Sequence, residues 1–333
     1  MTIKRDVKPM TRRQLLQSTT VVAGGTVVAG VFHGSLVERL LARSAQQPAA
    51  APPSDPLAAA RAQMAAAPIE TVKLGGNLTM LSGPGGNVVV LYGTDGKIVV
   101  DTFVLPVWSA LRKNIDGMGT APITLLINTH WHFDHTDNNA NFRQAGAGIL
   151  AHENTAKRLS ESHDLLGMHF EPAPATARPT QTFKDTHKMQ ANGEPVELGY
   201  IQPAHTDTDI YIHYTKSNVV HLGDCFFNGI YPFIDAGTGG NVNGMIAAAD
   251  RALKLGDSST RFVPGHGPLA DRAALTKSRD MLVTVRDRVR KLKTSGRKLE
   301  EVLAAKPSAD LDPTWGKGFM MPNDFLTIVY NTL

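Results

Sequence analysis

Three histidines and an aspartate occur within six consecutive residues of this chain, in the stretch HWHFDH at 130–135. Only Thr129 separates the stretch from the apolar run PITLLIN, which predicts a buried strand. Residues two apart in an extended segment point the same way, so His130 and His132 would face one point. Asp134 and His135 follow a change of direction and would face a second point nearby. Imidazole and carboxylate groups suit zinc, so the stretch predicts a fold with two adjacent metal positions at a strand end.

Further ligands are expected elsewhere, because four residues cannot complete two coordination shells. The sequence supplies three candidates, His205 in PAHTDTD, Asp224 in HLGDCFF and His266 in VPGHGPL. Each lies after an apolar run, in a loop that contains glycine, proline or threonine. Such loops gather binding residues on one edge of a rigid scaffold. These three residues are therefore predicted to converge with the cluster at 130–135.

Short apolar runs separated by turn signals predict a β-meander from Ile69 onward: IETVKL, NLTML, NVVVLYG and KIVVDTF. Helices and strands alternate after Asp101. Further strands are predicted at about 181–190, 194–199, 209–214 and 218–222, followed by helices at about 243–255 and 269–293 with the strand TRFVP between them. Two groups of strands, each followed by helices, predict two sheets packed face to face with helices outside. The predicted fold class is α/β, a four-layer αββα sandwich in one domain.

The N-terminal region resembles a twin-arginine export signal. Arg12 and Arg13 precede the weakly polar run STTVVAGGTVVAGVF, which is too short and too rich in glycine for a membrane span. Residues 1–45 are predicted to be a signal peptide or an N-terminal anchor, and the Pro/Ala-rich residues 46–68 a flexible linker outside the fold. The expected partner is the twin-arginine export machinery, and the expected location is periplasmic or secreted, with membrane attachment only through an uncleaved anchor.

Composition excludes some classes of protein. The formal net charge is +4, but lysines and arginines are spread along the chain without a basic tract, so no nucleic-acid partner is expected. Cys225 is the sole cysteine, which rules out an intramolecular disulfide, and it is read as a small packing residue. The expected partner at the site is a small-molecule substrate.

The motifs HWHFDH, AHTDTD, LGD and VPGHG occur in the order typical of the metallo-β-lactamase superfamily, which the chain resembles over about residues 69–270. The resemblance implies a hydrolase domain over 69–270 and a helical extension, 271–333, packed on the same domain. It assigns the first metal to His130, His132 and His205, the second metal to Asp134, His135 and His266, and the bridging position to Asp224. It also implies that Asp101 supports the metal loop, residues 130–135, from beneath.

The implied chemistry is hydrolysis. Two Zn²⁺ ions sharing a water would lower its pKa toward about 7, and the metal-bridging hydroxide would attack a cyclic amide, a lactone or another ester. Asp134 is the predicted catalytic residue, because it would orient the hydroxide. Several β-lactamases carry a cysteine at the second metal, whereas this chain has Asp224 followed by Cys225, so a lactam is not specified.

Other functions stay open on the same fold. These are a thioesterase similar to glyoxalase II and an iron-dependent sulfur dioxygenase or other redox protein, in which iron would replace zinc. A purely structural zinc site is usually a closed four-coordinate shell, which disfavours a binding protein without chemistry. Three residues are candidates for contact with the substrate, His163, His169 and Trp131. The two histidines flank a loop, and Trp131 lies between the predicted ligands His130 and His132 in the sequence.

Overall fold

The computed structural model describes residues 55–333. The export signal predicted at 1–45 and the linker residues 46–54 lie outside the described residues. No helix in the range 55–333 is long and apolar enough to cross a membrane.

The described chain alternates between strands and helices along most of its length. The strands are β1 Glu70–Gly75, β2 Leu78–Gly83, β3 Gly86–Leu91, β4 Lys97–Val100, β5 Ile123–Ile127, β6 Gly148–His152, β7 His163–Leu165, β8 Met168–Phe170, β9 Gln181–Phe183, β10 Thr186–Ala191, β11 Glu194–Tyr200, β12 Ile210–Tyr214, β13 Val219–His221 and β14 Arg261–Val263. The α-helices are α1 Pro56–Ala65, α2 Trp108–Asp116, α3 Phe133–Thr136, α4 Asn139–Gln144, α5 Glu153–Arg158, α6 Val242–Leu255, α7 Arg272–Thr294, α8 Leu299–Ala305, α9 Asp312–Trp315 and α10 Pro322–Asn331.

The strands form two large sheets and one hairpin. The seven-stranded sheet has the order β1-β2-β3-β4-β5-β6-β9, and the five-stranded sheet has the order β10-β11-β12-β13-β14. The meander β1 to β4 is antiparallel, whereas β4, β5, β6 and β9 run parallel to one another. In the second sheet only the β13–β14 pair is parallel. Strands β7 and β8 pair with each other as a hairpin.

Alternating side chains of each sheet enter different hydrophobic layers. In β3, Val89 and Leu91 pack against the five-stranded sheet through residues such as Ile212, while Val88 and Val90 face the other way, toward the helices. The helix layer on the outside of the seven-stranded sheet includes α1, α2 and α4. The five-stranded sheet is covered on its outer side by α6, α7 and α10. This is the predicted four-layer αββα sandwich, and the fold class is confirmed.

The flexible linker predicted at 46–68 is wrong over Pro56–Ala65, which form helix α1. Asp55 caps this helix by accepting hydrogen bonds from the backbone N–H groups of Leu57 and Ala58 at 3.0 Å, and Pro56 occupies the first turn. Ala60 is buried in the hydrophobic cluster between the seven-stranded sheet and its outer helices. The segment is rich in alanine, which is the best helix former, so its composition favours a helix as much as a linker.

The strand predicted at about 181–190 is two strands. Strand β9 ends at Phe183 at the edge of the seven-stranded sheet, and β10 begins at Thr186 at the edge of the five-stranded sheet. The chain therefore crosses between the sheets at Lys184 and Asp185, two charged residues that interrupt the apolar pattern.

The C-terminal helices share a core with the five-stranded sheet. Trp315, Phe325 and Val329 are buried in the same hydrophobic cluster as Val220 of β13 and Phe262 of β14. The Tyr231 ring stacks on the Phe325 ring with centroids 4.5 Å apart. Residues 271–333 thus pack on the domain that carries the motifs.

Candidate metal centre

Strand ends position the predicted ligands. The loop 128–132 and helix α3 follow β5, and the loop that contains His205 connects β11 to β12. Asp224 lies in a short 3-10 helix, Gly223–Cys225, directly after β13, and His266 follows β14. Because these strand ends lie at the same edge of the sandwich, residues distant in sequence meet there.

The structure brings four residues of the first predicted metal position together. The groups His130, His132, His205 and Asp224 are all buried, and their candidate ligand atoms lie within 4.8 Å of one another. The Nε2 atom of His205 is 2.9 Å from the Nδ1 atom of His132 and 3.6 Å from Oδ2 of Asp224. His130 Nε2 lies 4.0 Å from the same Asp224 oxygen.

Asp134, His135 and His266 form a second group within the same distance limit. The Oδ2 atom of Asp134 lies 3.3 Å from His266 Nε2 and 3.6 Å from His135 Nε2. Asp224 adjoins this group too, because its Oδ1 is 3.2 Å from His135 Nε2 and its Oδ2 is 3.3 Å from His266 Nε2. Its carboxylate therefore lies between the two groups, in the place of a bridging ligand.

The second nitrogen of several ligand histidines makes an orienting hydrogen bond. His135 Nδ1 donates to Oδ2 of Asp101 at 2.8 Å, and His205 Nδ1 donates to the carbonyl oxygen of Phe233 at 2.9 Å. Asp101 also accepts hydrogen bonds from the backbone N–H and the hydroxyl of Thr129, at 2.8 and 2.7 Å. The structure thus places Asp101 directly beneath the metal loop, where it aims the Nε2 atom of His135 at the site.

Asp235 holds His132 in the same way, and the sequence patterns did not reveal it. His132 Nε2 donates to Oδ2 of Asp235 at 3.2 Å, which leaves Nδ1 facing the first group. Thr238 donates its hydroxyl to the same carboxylate oxygen at 2.6 Å. Asp235 lies in a loop without a recognisable motif, far from His132 in the sequence, so only the tertiary structure brings the two together.

Opposite charges dominate the electrostatics of the site. Burial would raise the pKa of the Asp224 carboxyl, but His266 and His135 hold it well below its usual value. Burial alone would lower the pKa of His266, whereas the neighbouring Asp224 and Asp134 carboxylates raise it to about 9. In contrast, burial lowers the pKa of His205 to about 4. A bound cation would balance the negative charge of the carboxylates without requiring protonated histidines. The charge distribution therefore suits a divalent metal.

The backbone approaches the ligands closely at two glycines. A Cβ atom on Gly265 would lie 1.8 Å from Oδ1 of Asp224, and one on Gly86 would lie 2.7 Å from the carbonyl oxygen of Gly265. Gly86 also has a φ of 112°, a backbone angle that residues other than glycine rarely adopt. Glycine at these positions lets the β2–β3 turn and the loop after β14 close over Asp224.

Several buried ligand atoms make no hydrogen bond within residues 55–333: His130 Nε2, His135 Nε2 and Asp224 Oδ1. His135 Nε2 and Asp224 Oδ1 approach each other, at 3.2 Å, without hydrogen-bond geometry. Buried polar atoms are normally paired, so these orphaned atoms indicate a missing partner. Imidazole nitrogens and carboxylate oxygens together form a donor set that suits zinc, and the residues present therefore fit a metal.

A cavity of about 340 Å³ opens onto these residues. His132, Asp134, Asp224 and His266 are part of its lining. The remaining lining residues come from α1, the β2–β3 turn and the β7–β8 hairpin, together with Ala67, Phe133, Phe233 and Phe319. A small substrate in this cavity would contact both groups of ligands.

The three candidates for substrate contact lie elsewhere. Trp131, His163 and His169 line a separate cavity of about 490 Å³ and are not part of the lining of the cavity at the ligands. The His163 ring packs on Trp131 with centroids 4.8 Å apart. His169 is exposed and donates from Nδ1 to Asp164 at 2.8 Å. Trp131 is buried, and its ring packs against His163 and Phe170 of the β7–β8 hairpin.

Comparison with known proteins identifies the family. Residues 81–287 match the family model described as "Metallo-beta-lactamase superfamily". The chain belongs to the metallo-beta-lactamase superfamily. Members of this superfamily are metal-dependent hydrolases, including β-lactamases and sulfatases.

Solved structures of the superfamily share the fold at low sequence identity. A metallo-beta-lactamase from Pontibacter korlensis is similar with a TM-score of 0.55 and 16% identity, over 65% of this chain and 99% of that chain. A metallo-beta-lactamase from Hirschia baltica gives 0.51 and 20% identity, over 65% and 98%. The stereoselective inverting sec-alkylsulfatase from Pseudomonas sp. gives 0.58 and 16% identity, over 79% of this chain and 50% of that chain. No curated protein sequence matches the chain.

Proposed function

We propose that this superfamily member is a dinuclear zinc hydrolase that cleaves an ester, a lactone or a cyclic amide. The observation that carries the proposal is the position of Asp224, whose carboxylate lies within 3.6 Å of both His205 and His266. Two metal-binding groups that share one carboxylate suit a pair of adjacent ions. A purely structural metal would not require an adjoining cavity.

Most of the site residues would hold the two ions, and others would orient the attacking water or the ligand rings. One ion would be held by His130, His132 and His205 and the other by Asp134, His135 and His266, with Asp224 shared between the two groups. When bound, the two ions supply an activated water and polarise the substrate's carbonyl oxygen. Asp134 lines the cavity beside the second group, so its carboxylate can orient the attacking water and accept its proton. Asp101 and Asp235 keep the ligand rings in place.

The test combines metal analysis with a panel of substrates. We expect about two zinc ions per chain and turnover of at least one substrate among a cephalosporin, a homoserine lactone, a glutathione thioester and a carboxylic ester. Asp134→Asn should lower kcat by at least about 100-fold while the fold is retained. Iron in the purified protein, with none of these substrates cleaved, would contradict the proposal and favour the dioxygenase alternative.

We also infer that the protein acts outside the cytoplasm. The inference rests on Arg12 and Arg13 before an apolar run. Replacement of both by lysine should retain the protein in the cytoplasm of a host with the twin-arginine pathway, as measured by fractionation. Equal export of the double variant and the natural chain would refute it.

A further inference from the structure

Helix α1 forms one wall of the cavity at the candidate metal centre. Ala60, Gln63, Met64 and Ala67 line the cavity, with a spacing of three, four and seven residues. This spacing places Ala60, Gln63 and Met64 on one face of α1, and Ala67 continues the same wall just beyond the helix end. The segment lies outside the matched region, 81–287, so it is a feature of this chain beyond the family motifs.

The wall is held firmly against the metal loop. Arg61 donates from Nε and from one terminal nitrogen to the two carboxylate oxygens of Asp137, at 2.7 and 2.5 Å. Asp137 directly follows helix α3, which carries Asp134 and His135. Its carboxylate also accepts from the backbone N–H of Leu105 at 3.0 Å. A planar two-point contact of this kind fixes orientation as well as distance, so α1 has a defined position relative to the ligands.

Outside the metal-binding groups, the lining of the cavity is largely apolar. Apart from the metal-binding groups and Gln63, the described lining residues are apolar or glycine, and none is lysine or arginine. The apolar side chains come from several separate elements, among them Met64 of α1, Leu165 and Met168 of the hairpin, and Phe319 near the C-terminus. A carboxylate or phosphate placed against these side chains would lose its hydration without gaining a partner.

Gln63 is the exception in this apolar lining. Its Oε1 atom is buried and accepts no hydrogen bond from any residue in the described part of the chain. A buried carbonyl oxygen without a partner is uncommon in a folded protein. The side chain lines the cavity, so a rotation of its terminal amide would turn this oxygen toward a donor group on a bound molecule.

We propose that helix α1 determines the substrate, and that the substrate is an uncharged ester, lactone or amide whose apolar chain carries an N–H or O–H donor. Met64 and the opposing apolar side chains would hold the chain, and Gln63 Oε1 would accept the hydrogen bond. This inference rests on the proposed hydrolase function, because it places the scissile bond at the metal-binding groups. It favours neutral molecules over β-lactam antibiotics, which carry a carboxylate.

Charge selection is tested with two esters of equal chain length. These are p-nitrophenyl octanoate and the p-nitrophenyl half-ester of suberic acid, whose chain ends in a carboxylate. The zinc-loaded protein should show a kcat/KM at least about tenfold higher for the octanoate. Met64→Lys should reduce this preference by about fivefold, whereas the uncharged control Met64→Gln should leave the preference in place. An equal or reversed preference in the natural chain would overturn the proposal.

The role of Gln63 is tested with the p-nitrophenyl ester of N-octanoylglycine and its ketone analogue, in which a methylene group replaces the N–H. The natural chain should prefer the N–H compound by about 2- to 10-fold in kcat/KM. Gln63→Leu should abolish this preference, while the surface control Gln144→Leu should keep it. A ratio unchanged by Gln63→Leu would show that the glutamine does not read the donor.

Binding separates this inference from the proposed function. Titration calorimetry with octanamide and with the monoamide of suberic acid measures the same selection without turnover. Stronger binding of octanamide without cleavage of any ester would support the cavity assignment and refute the hydrolase. Cleavage of esters with stronger binding of the anionic amide would refute only the inference.

Discussion

At the scale of single residues, the site depends on side chains that touch ligands rather than on the ligands alone. His132 is held by Asp235, and His135 by Asp101, each through the ring nitrogen that faces away from the site. Such contacts set the ring orientation and the basicity of the ligand atom. Substitutions of residues that contact the candidate ligands, such as Asp235, are therefore expected to change metal binding.

Asp235→Asn should lower zinc affinity by about 10- to 100-fold, because His132 loses a carboxylate acceptor. The measurement is competition between the protein and a zinc chelator, which needs no substrate. Asp116→Asn is the matched control, since Asp116 forms an exposed ion pair with Arg112 on α2. Equal affinities of both variants and the natural chain would contradict the assignment of Asp235 to His132.

Gly265→Ala should displace the carboxylate of Asp224, since the added Cβ would lie 1.8 Å from Oδ1. We expect a loss of about 1–3 kcal/mol in the free energy of unfolding, together with weaker zinc binding. Gly117→Ala serves for comparison, because its Cβ would meet no atom closer than 3.4 Å and its φ is −64°. Similar zinc affinities for the two alanine variants would refute the close approach.

The convergence of the candidate ligands was predictable, whereas the contact between Asp235 and His132 was not, for a physical reason. His130, His132, Asp134 and His135 are adjacent in sequence, and a local pattern of this kind carries its own geometry. Asp235 contacts His132 only because the loop after β13 folds back over the site. Nothing in the local sequence of Asp235 distinguishes it from an ordinary loop aspartate.

At the scale of elements, helix α1 shows where composition misleads. Its alanines lie on every face, so the sequence has almost no apolar periodicity to indicate a buried side. The cap at Asp55 and the proline at the first turn are helix-start signals, and Pro68 follows the helix end. Those local signals favour a helix, whereas overall Pro/Ala content favoured a linker. Most strands with clear β-branched runs were predicted close to their observed bounds, whereas the strand predicted at 181–190 is divided and the hairpin β7–β8 was not predicted.

Arg61→Ala tests the attachment of this helix. The side chain of Asp137 is only 6% exposed, and burial already raises its pKa, so removal of Arg61 leaves a poorly solvated carboxylate. We expect a loss of about 1–3 kcal/mol in unfolding free energy, measured by denaturant titration. The double variant Arg61→Ala/Asp137→Asn should recover part of that loss. Strict additivity of the two single changes would mean that the ion pair contributes nothing.

At the scale of the whole molecule, each pair of neighbouring layers of sheet and helix shares a hydrophobic core. The order of the elements predicted the layers, because two groups of strands, each followed by helices, can bury both faces of each sheet only in a layered sandwich. The same pattern did not predict which sheet receives a strand, as the division at Lys184 and Asp185 shows. That choice depends on where the chain can turn and on long-range pairing.

Phe325→Ala should destabilise the whole domain by about 3–5 kcal/mol, since Phe325 is fully buried in the cluster beneath the five-stranded sheet. A single cooperative transition is expected in thermal unfolding. Leu105→Ala is the control and should change stability by no more than about 0.5 kcal/mol, because Leu105 is 45% exposed. A separate early transition in the Phe325 variant would show that the C-terminal helices unfold independently.

The contact between Arg61 and Asp137 has a consequence for any N-terminal processing of the protein. A cut beyond Asp55 would remove the helix cap, and a cut beyond Arg61 would remove the ion pair that holds this wall of the cavity. A chain trimmed into the helix would retain every metal-binding side chain and yet admit different molecules. Comparing the substrate range of intact and trimmed protein would therefore reveal whether proteolysis can retune this enzyme.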